Sequence, residues 1–549
     1  MPFALSPGLG SSAVTGKKSD NSARGILVVL AVWLVVSLIL ATLAVPILSS
    51  PGLYYDEAVF AGMARDFVKG GSLGAHMPGS ETVNLFGRPF PVFVQWYLGA
   101  VKAWLIIPSL MLFDATVPVL RLTSLFWYLI GLLLFMLWTR KLLGLSASLI
   151  ALPILALDPS CFFPSVLDWG TVIPGFLCRV GGCYLLIRWW HDRNMRDGFL
   201  GAFVLGLGFF SKIDSVVVLL GCGIALAIIY GREILAFFRS SPKKCAWCGL
   251  GFFLGASPMA LMILPMLDTA LGKKTAAGSS DPLEKLHTVW AMYDGSYFFR
   301  LMNVGGKFDT MFAQSCPVWS PFGLLVILSG ILLAVRIAGR RGETVERQRW
   351  AFLLCSTVFI TCGMFLLPGA ARIHHQLAVY PFPHLIVVAA IIMLWKTSSL
   401  NAAITWSLRT CAVAIAIVII GGHLLALRQT QSLLAATGGR GWWSDSIQEF
   451  CHDVRDQRGL SIVSLDWGFQ EQLLYLCNQQ RLLEPIWRSE TLPASAKCVY
   501  LIHPPEYTLY PEGLEFFRAM KQANAEKLSI RPYKDRQGNV AFYAVRLRD

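Results

Sequence analysis

Charged residues are scarce in this 549-residue chain: Asp, Glu, Lys and Arg make up only 15% of it, against 55% hydrophobic residues. A soluble globular domain carries nearer a quarter charged residues, so this composition excludes an ordinary soluble protein. The mean hydropathy is +0.57. Apolar stretches of about twenty residues, the length that crosses a hydrocarbon core, recur along the chain. We therefore expect a polytopic α-helical membrane protein.

A cleavage site of small residues is missing after the first apolar run, residues 26–48, which is also too long for a signal-peptide core. Lys17, Lys18 and Arg24 precede that run, so we expect residues 1–25 to form a cytoplasmic tail and the run to stay as a helix. The net charge of +14 does not indicate a nucleic-acid partner. Much of the excess lies in short loops between apolar runs, as the positive-inside rule predicts.

Paired metal or disulfide patterns are lacking too. Cys245 and Cys248 have a metal or redox spacing, but no second pair accompanies them and they begin an apolar run. Cys451, Cys477 and Cys498 lie in a polar tail. Three thiols cannot all pair, and their spacing alone indicates no bridge.

Basic clusters separate the apolar runs. If every cluster is cytoplasmic, an even number of crossings lies between neighbouring clusters, which predicts about eleven crossings. Segment 90–113 does not fit as a crossing, so we expect an interfacial or re-entrant element there. This interpretation gives a membrane domain over residues 26–430, with outer loops at 51–118 and 268–317.

The composition changes in residues 431–549. Strand and helix patterns alternate there, and two alternating runs around Gln537 and Gly538 indicate a hairpin. We expect a small soluble α/β domain on the non-cytoplasmic side. Asp466 ends the first of its strands, a position where α/β sheets place binding loops, so we expect an acceptor or partner site there.

An acid pair, Asp56 and Glu57, follows the first apolar run within "YYDEAVFAGMARDF". The apolar residues after it recur at helical spacing and predict an amphipathic helix lying along the membrane. Asp56 fits two interpretations equally well. It is either the cap of this helix or a carboxylate whose pKa is raised by burial and which acts as a base.

This stretch resembles the Asp-Glu signature in the first outer loop of GT-C membrane glycosyltransferases, in particular the branch that holds the protein O-mannosyltransferases and the lipid A aminoarabinose transferase. Further along, "GRPFPVFVQWYLGA" is similar to the family's Lys-Pro-Pro helix, "GLGFFSKID" to its "GLxFLTKxP" turn and "RIHHQLAVYPF" to a late outer loop. The resemblance covers roughly residues 26–430.

The resemblance implies a GT-C-like fold and an enzyme in the plasma (inner) membrane. Such an enzyme moves a sugar, hexose or pentose, from a polyprenyl-phosphate donor to an acceptor hydroxyl or phosphate outside the cytoplasm, with inversion. The acceptor, whether lipid, glycan or protein, stays open. An alternative is a lipid or solute transporter or flippase, which would bury ionisable residues in mid-helix and often show a repeated half. A non-catalytic membrane scaffold is a third interpretation.

By the same resemblance, Asp56 is the general base that takes the proton of the acceptor hydroxyl. Glu57 would orient Asp56, hold the acceptor or bind a cation. Asp168 would join them from another outer loop, although a polar residue at a helix end beside Trp169 fits that position equally well.

The lipid phosphate that leaves needs cations near the membrane surface, and Lys212, Arg372 and Arg88 fall at expected outer edges. Arg88 stands where the family has a lysine. Lys212 has a plainer interpretation as well, since it could snorkel or pair with Asp214 at a hairpin apex.

Tyr55, His374, His375 and Asp294 are further candidates for substrate binding. Adjacent histidines point in different directions on most backbones, which favours polar loop residues over metal ligands for His374 and His375. A divalent cation between the acids and the phosphate is chemically reasonable, but these residues do not require one.

Overall fold

The computed structural model describes residues 15–548 except 263–280, 307, 341, 368–369, 399–400, 486–496 and 524. The beginning of the expected cytoplasmic tail, residues 1–14, and the first part of the expected outer loop, residues 268–280, lie outside the described residues.

The chain is mostly helical. In chain order the α-helices are α1 Thr15–Ala44, α2 Tyr55–Lys69, α3 Val101–Leu112, α4 Val117–Leu143, α5 Leu145–Ala156, α6 Pro159–Val166, α7 Val172–Asp192, α8 Met195–Ser211, α9 Ser215–Ser240, α10 Pro242–Ala256, α11 Pro282–Tyr293, α12 Tyr297–Val304, α13 Phe322–Ala338, α14 Thr344–Leu366, α15 Ile373–Gln376, α16 Phe382–Lys396, α17 Ala402–Thr437, α18 Ser446–Val454, α19 Gln470–Leu476 and α20 Pro511–Ala523.

Within the described ranges, 7 helices are long and apolar enough to cross a membrane, or 9 if each of two bent pairs counts as one span. The bent pairs are α5 with α6, at 65°, and the segment Ile373–Val379 with α16, at 40°. The two further crossings expected from the sequence correspond to α8 and α13, of 17 residues each. The chain is an integral membrane protein, and the count of eleven crossings stays a prediction.

Segment 90–113 does not form one continuous element. A three-stranded antiparallel sheet comes first, with strands β1 Glu81–Leu85, β2 Arg88–Gln95 and β3 Leu98–Gly99, and α3 follows it. The helix expected from the resemblance at "GRPFPVFVQWYLGA" is therefore wrong, because these residues form β2, β3 and the turns beside them, and α3 begins only after them. Two prolines there cannot continue a helix, and the valines and phenylalanines beside them favour a strand. The 12 residues of α3 reach only about 18 Å, which agrees with the expectation that this segment does not cross.

The C-terminal part contains a five-stranded sheet in the order β5-β4-β6-β8-β7. Its strands are β4 Ser461–Ser464, β5 Arg481–Leu483, β6 Cys498–Ile502, β7 Leu528–Lys534 and β8 Val540–Leu547. β4 runs parallel to β5 and β6, whereas β8 is antiparallel to both β6 and β7. The expected α/β character and the hairpin at Gln537 and Gly538 are confirmed, and the short strand β5 was not predicted. The boundary at residue 431 stays a prediction, since α17 continues to Thr437 without a break.

Helix α2 is covered on nearly all sides. Its apolar residues Val59, Phe60 and Met63 are buried, and so are Arg65 and Asp66. The helix itself is confirmed, and the face that carries its polar residues Arg65 and Asp66 is buried rather than exposed. That face is occupied by the C-terminal part, where the Cys477 carbonyl accepts a hydrogen bond of 2.6 Å from Arg65 Nη2.

The first turn of α2 is held by a buried ion pair. Arg121 of α4 donates from Nε to Glu57 Oε2 at 2.9 Å and from Nη2 to Glu57 Oε1 at 3.0 Å. The Tyr54 backbone N–H donates to the same Oε1 at 3.1 Å. Arg121 and Glu57 are both 0% exposed.

The rest of the Arg121 guanidinium holds the chain that leads into α2. Nη1 donates to the carbonyls of Ile47 and Pro51, both at 2.9 Å, and Nη2 donates to the carbonyl of Gly52 at 3.1 Å. One side chain thus determines where α2 begins.

We expect Arg121→Met to lower the free energy of unfolding by about 3–5 kcal/mol, because it leaves a buried carboxylate without its partner. Urea and thermal unfolding of the purified protein in detergent measure this change. Arg232→Met, at an exposed position on α9, is the matched control, and we expect a change within about 0.5 kcal/mol there. Equal losses in the two variants would contradict the role of Arg121.

A second contact between α2 and the C-terminal part depends on His76. Its Nε2 lies 2.6 Å from Asp66 Oδ2 on α2, and its Nδ1 lies 3.6 Å from Glu471 Oε2 on α19. Burial disfavours the charged imidazole, but the two carboxylates outweigh it and raise the pKa of His76 to about 9. The imidazolium therefore links α2 to α19 at neutral pH.

Because the pKa of His76 is raised on folding, its contribution to stability is fully present below about pH 6.5, the ordinary value for histidine. It is lost as the pH rises through about 9. We expect the melting temperature of the wild type to exceed that of His76→Gln at pH 6.5, and the difference to shrink towards pH 9.5. His452→Gln, at an exposed position, is the control. A difference that stays constant or grows over this range would refute the linkage.

Candidate active site

Four separate segments meet at Asp56: the start of α2, the turn between α6 and α7, the turn between α8 and α9, and the chain before α15. Asp56 is half-buried, whereas the residues on either side of it are buried. Burial raises the pKa of Asp56, and Lys102, Trp169, Lys212 and Arg372 oppose that rise. The structure therefore brings Asp56, Lys212 and Arg372 to one place.

Lys102 and Asp168 form a buried ion pair beside Asp56. Lys102 Nζ lies 3.1 Å from Asp168 Oδ2, and these side chains are 2% and 4% exposed. The ammonium also donates to the backbone carbonyl of Asp168 and, at 3.5 Å, to that of Asp56. Burial raises the pKa of Asp168 to about 6, although Lys102 opposes the rise. Lys102 was missed from the sequence, where its signal is a lone cation inside the apolar helix α3.

Lys212 lies at the end of α8 in a cluster with Asp214 and His375. Lys212 Nζ is 2.9 Å from Asp214 Oδ2 and 3.1 Å from His375 Nδ1, and the histidine nitrogen is 2.9 Å from the same carboxylate oxygen. Burial favours the neutral acid, but Lys212 and His375 outweigh it and lower the pKa of Asp214 to about 2. The pairing with Asp214 that was expected as the plainer interpretation of Lys212 is thus present.

Arg372 stays partly open, with 34% of its side chain exposed. Its Nη1 donates to Glu284 Oε1 of α11 at 3.0 Å, and its Cζ lies 3.5 Å from the ring centre of Phe308. The segment between α10 and α13 therefore orients this guanidinium through Glu284 and Phe308.

Arg88 is not part of this group. It is exposed at the start of β2, and its Nη1 donates to the carbonyl of Val68 at 2.7 Å, near the far end of α2. Twelve residues of helix separate Val68 from Asp56, which is about 18 Å along the axis. The structure thus separates Arg88 from the acid pair that the resemblance linked it to.

The other expected substrate-binding residues have different surroundings. The Tyr55 hydroxyl donates to the Met77 sulfur, and its ring lies 4.5 Å from that of Trp467. Asp294 Oδ1 accepts the Ser296 N–H at 2.9 Å, so it organises the turn after α11. His374 lies beside the site, with its ring 4.3 Å from that of His375 and 6.4 Å from that of Trp169.

Asp466 is 1% exposed and accepts hydrogen bonds from its own loop and from the segment after β6. Its Oδ1 accepts backbone N–H groups of Trp467 at 2.8 Å, Leu509 at 3.0 Å and Tyr510 at 2.9 Å. The acceptor or partner site expected there stays a prediction, while the adjacent Trp467 ring contacts α2 through Tyr55.

Among the residues that the structure describes, no group of three or more His, Cys, Asp or Glu side chains could hold a metal ion. The charged side chains that most affect the pKa of Asp56 are the cations Lys102, Lys212 and Arg372, which lower it. The divalent cation considered from the sequence stays a prediction.

Comparison with known proteins bears on the family and the fold. Residues 99–262, from the end of β3 to the 3-10 turn after α10, match the family described as dolichyl-phosphate-mannose-protein mannosyltransferase. No match is found among curated proteins.

Two solved structures of ArnT from Cupriavidus metallidurans share the overall fold. The apo structure matches with a TM-score of 0.55 and 12% identity over 96% of this chain and 98% of ArnT. The structure with bound undecaprenyl phosphate matches with a TM-score of 0.52 and 13% identity over 97% and 98% of the two chains. The Archaeoglobus fulgidus oligosaccharyltransferase gives a TM-score of 0.48 at 13% identity, and this chain spans 65% of its length.

The structural matches to ArnT establish the fold, whereas sequence identities of 12% and 13% do not establish the activity. The chain is thus a polytopic membrane protein with the GT-C class fold of ArnT, and its residues 99–262 match the dolichyl-phosphate-mannose-protein mannosyltransferase family.

Proposed function

We propose that this protein is a glycosyltransferase that moves a sugar from a polyprenyl-phosphate donor to an acceptor hydroxyl or phosphate, with inversion at the anomeric carbon. The observation that carries the proposal is the meeting of one half-buried carboxylate, Asp56, with the cations Lys212 and Arg372. The shared fold with ArnT, crystallised with undecaprenyl phosphate, supports a lipid phosphate as the leaving group.

Asp56 is the general base in this proposal. Burial makes its carboxylate more basic than an exposed one, and the nearby cations keep the charged form available. It accepts the proton of the acceptor hydroxyl while that oxygen attacks the anomeric carbon from the side opposite the phosphate. Where a phosphate is the acceptor, no proton needs removing and Asp56 orients the nucleophile.

Lys212 and Arg372 receive the departing phosphate. Arg372 has donors left beyond its bond to Glu284, and a guanidinium binds two phosphate oxygens at once. Lys212 is held in place by Asp214 and His375 and supplies a point charge. Charge that develops on the leaving oxygen is thereby stabilised without movement of the protein.

Glu57, Lys102 and Asp168 act as positioning residues. Glu57 uses both carboxylate oxygens on Arg121, so it holds α2 in place. Lys102 contacts the backbone carbonyls of Asp56 and Asp168, so it determines the distance between the two loops.

The active site and the C-terminal part lie on the extracytoplasmic face of the plasma (inner) membrane in this proposal. Support comes from the basic clusters at the opposite ends of the apolar helices. A hydroxyl-bearing or phosphate-bearing acceptor, whether lipid, glycan or protein, reaches Asp56 from that side.

We expect Asp56→Asn to lower sugar transfer by about 100- to 10,000-fold, the usual contribution of a general base. The measurement compares surface lipids, glycans and glycoproteins by mass spectrometry in a host without the gene, complemented with wild type or variant. Asp114→Asn, the same substitution at an exposed position, is the control and should restore the product fully. If Asp56→Asn complements as well as the wild type does, the catalytic assignment fails and a transporter becomes the better interpretation.

We expect Arg372→Ala to weaken binding of undecaprenyl phosphate by about 10- to 100-fold, because it removes a charge-assisted contact. Titration of the purified protein with this lipid measures the effect. Arg88→Ala is the matched comparison at the far end of α2, and the geometry predicts an effect at least tenfold smaller. A larger loss in Arg88→Ala than in Arg372→Ala would overturn the placement of the phosphate.

A further inference from the structure

Two cysteines of the C-terminal part face each other at close range. Cys451 lies in the last turn of α18, and Cys477 directly follows α19. Their sulfur atoms are 3.7 Å apart. Cys477 is 2% exposed and Cys451 is half-buried. The spacing of the cysteines along the chain indicated no disulfide, whereas the fold brings these two together.

We propose that Cys451 and Cys477 form a disulfide in the mature protein. A bond of about 2.05 Å requires the sulfurs to approach by about 1.6 Å, within reach of small side-chain rotations. The inference rests on one part of the proposed function, the extracytoplasmic placement of the C-terminal part, because disulfides persist in such compartments.

The chemistry balances with an oxidant of that compartment. Each thiol loses its proton, and the S–S bond forms as two electrons pass to a protein disulfide, which is reduced to a dithiol. This exchange occurs during folding, before Cys477 is covered.

The third cysteine of this part is excluded by the sheet. Cys451 and Cys477 pack in the cluster that contains Val499 and Leu501 of β6. Cys498 belongs to the cluster that contains Tyr500. Successive side chains of a strand point to opposite faces, so Cys498 lies across the sheet from the other two and stays a thiol.

The bond would tie together two elements that hold α2. α18 follows the turn Gly441–Trp443, where the Trp443 carbonyl accepts the Gly52 N–H at 2.7 Å and its ring stacks 3.8 Å from that of Tyr54. Cys477 binds the middle of the helix through its carbonyl and Arg65. A covalent link between α18 and α19 would therefore stabilise both sets of contacts with α2, the helix that carries Asp56.

The test uses the full chain isolated from its host membranes without reductant, with N-ethylmaleimide added at lysis. After denaturation, further labelling and mass spectrometry, we expect eleven of the thirteen cysteines to be alkylated, and all thirteen after reduction. A peptide that joins Cys451 to Cys477 should appear only without reductant.

Two variants serve as matched controls. Cys451→Ser should lose the joined peptide and show twelve alkylated cysteines, whereas Cys498→Ser should keep the joined peptide and show ten. Thirteen alkylated cysteines in the unreduced wild type, or a joined peptide that contains Cys498, would overturn the proposal.

Sugar transfer is measured on the same preparations, so the two proposals fail separately. Free thiols in an active transferase overturn the disulfide and leave the transferase assignment standing. A joined pair in a protein that transfers no sugar supports the disulfide and counts against the transferase.

Discussion

The buried pair of Arg121 and Glu57 is the interaction on which the arrangement of the site depends. The Arg121 guanidinium is planar, and its N–H groups point in fixed directions. They donate to the Glu57 carboxylate and to three carbonyls of the chain that leads into α2. Successive helical residues point about 100° apart. Anchoring Glu57 therefore directs Asp56 away from the ion pair, which explains why two adjacent acids have such different surroundings.

Every cation around Asp56 has a carboxylate partner of its own. Lys102 pairs with Asp168, Lys212 with Asp214 and Arg372 with Glu284. An isolated charge buried at a membrane edge is costly, so these partners are what allows three cations to lie close together. The pairs Lys102–Asp168 and Arg372–Glu284 also hold separate segments against one another, whereas Lys212 and Asp214 share the turn between α8 and α9. In the proposed function, a phosphate that reaches this place finds donors already in position.

The C-terminal part belongs to the same structural unit as the site. It covers α2 with an aromatic cluster around Trp443 and Trp467 and with polar contacts at Arg65 and His76. Burial on that side turned an apparently amphipathic helix into an almost fully enclosed one. Local periodicity describes only which residues share a face of a helix. Which residues cover that face depends on segments that are distant in the sequence.

The sequence by itself determined the class of protein and the positions of most helices and strands, and it selected Asp56 as a candidate. The reason is that apolar length, periodicity and an acid pair after a membrane helix are local properties. Only the tertiary structure decided that Glu57 is bound to Arg121, that Lys102 joins Asp168, that Arg88 stands apart and that Cys451 faces Cys477. The three contacts among them join residues that lie from 26 to 66 positions apart along the chain. Their distance in space follows from how helices and loops pack, which no local pattern encodes.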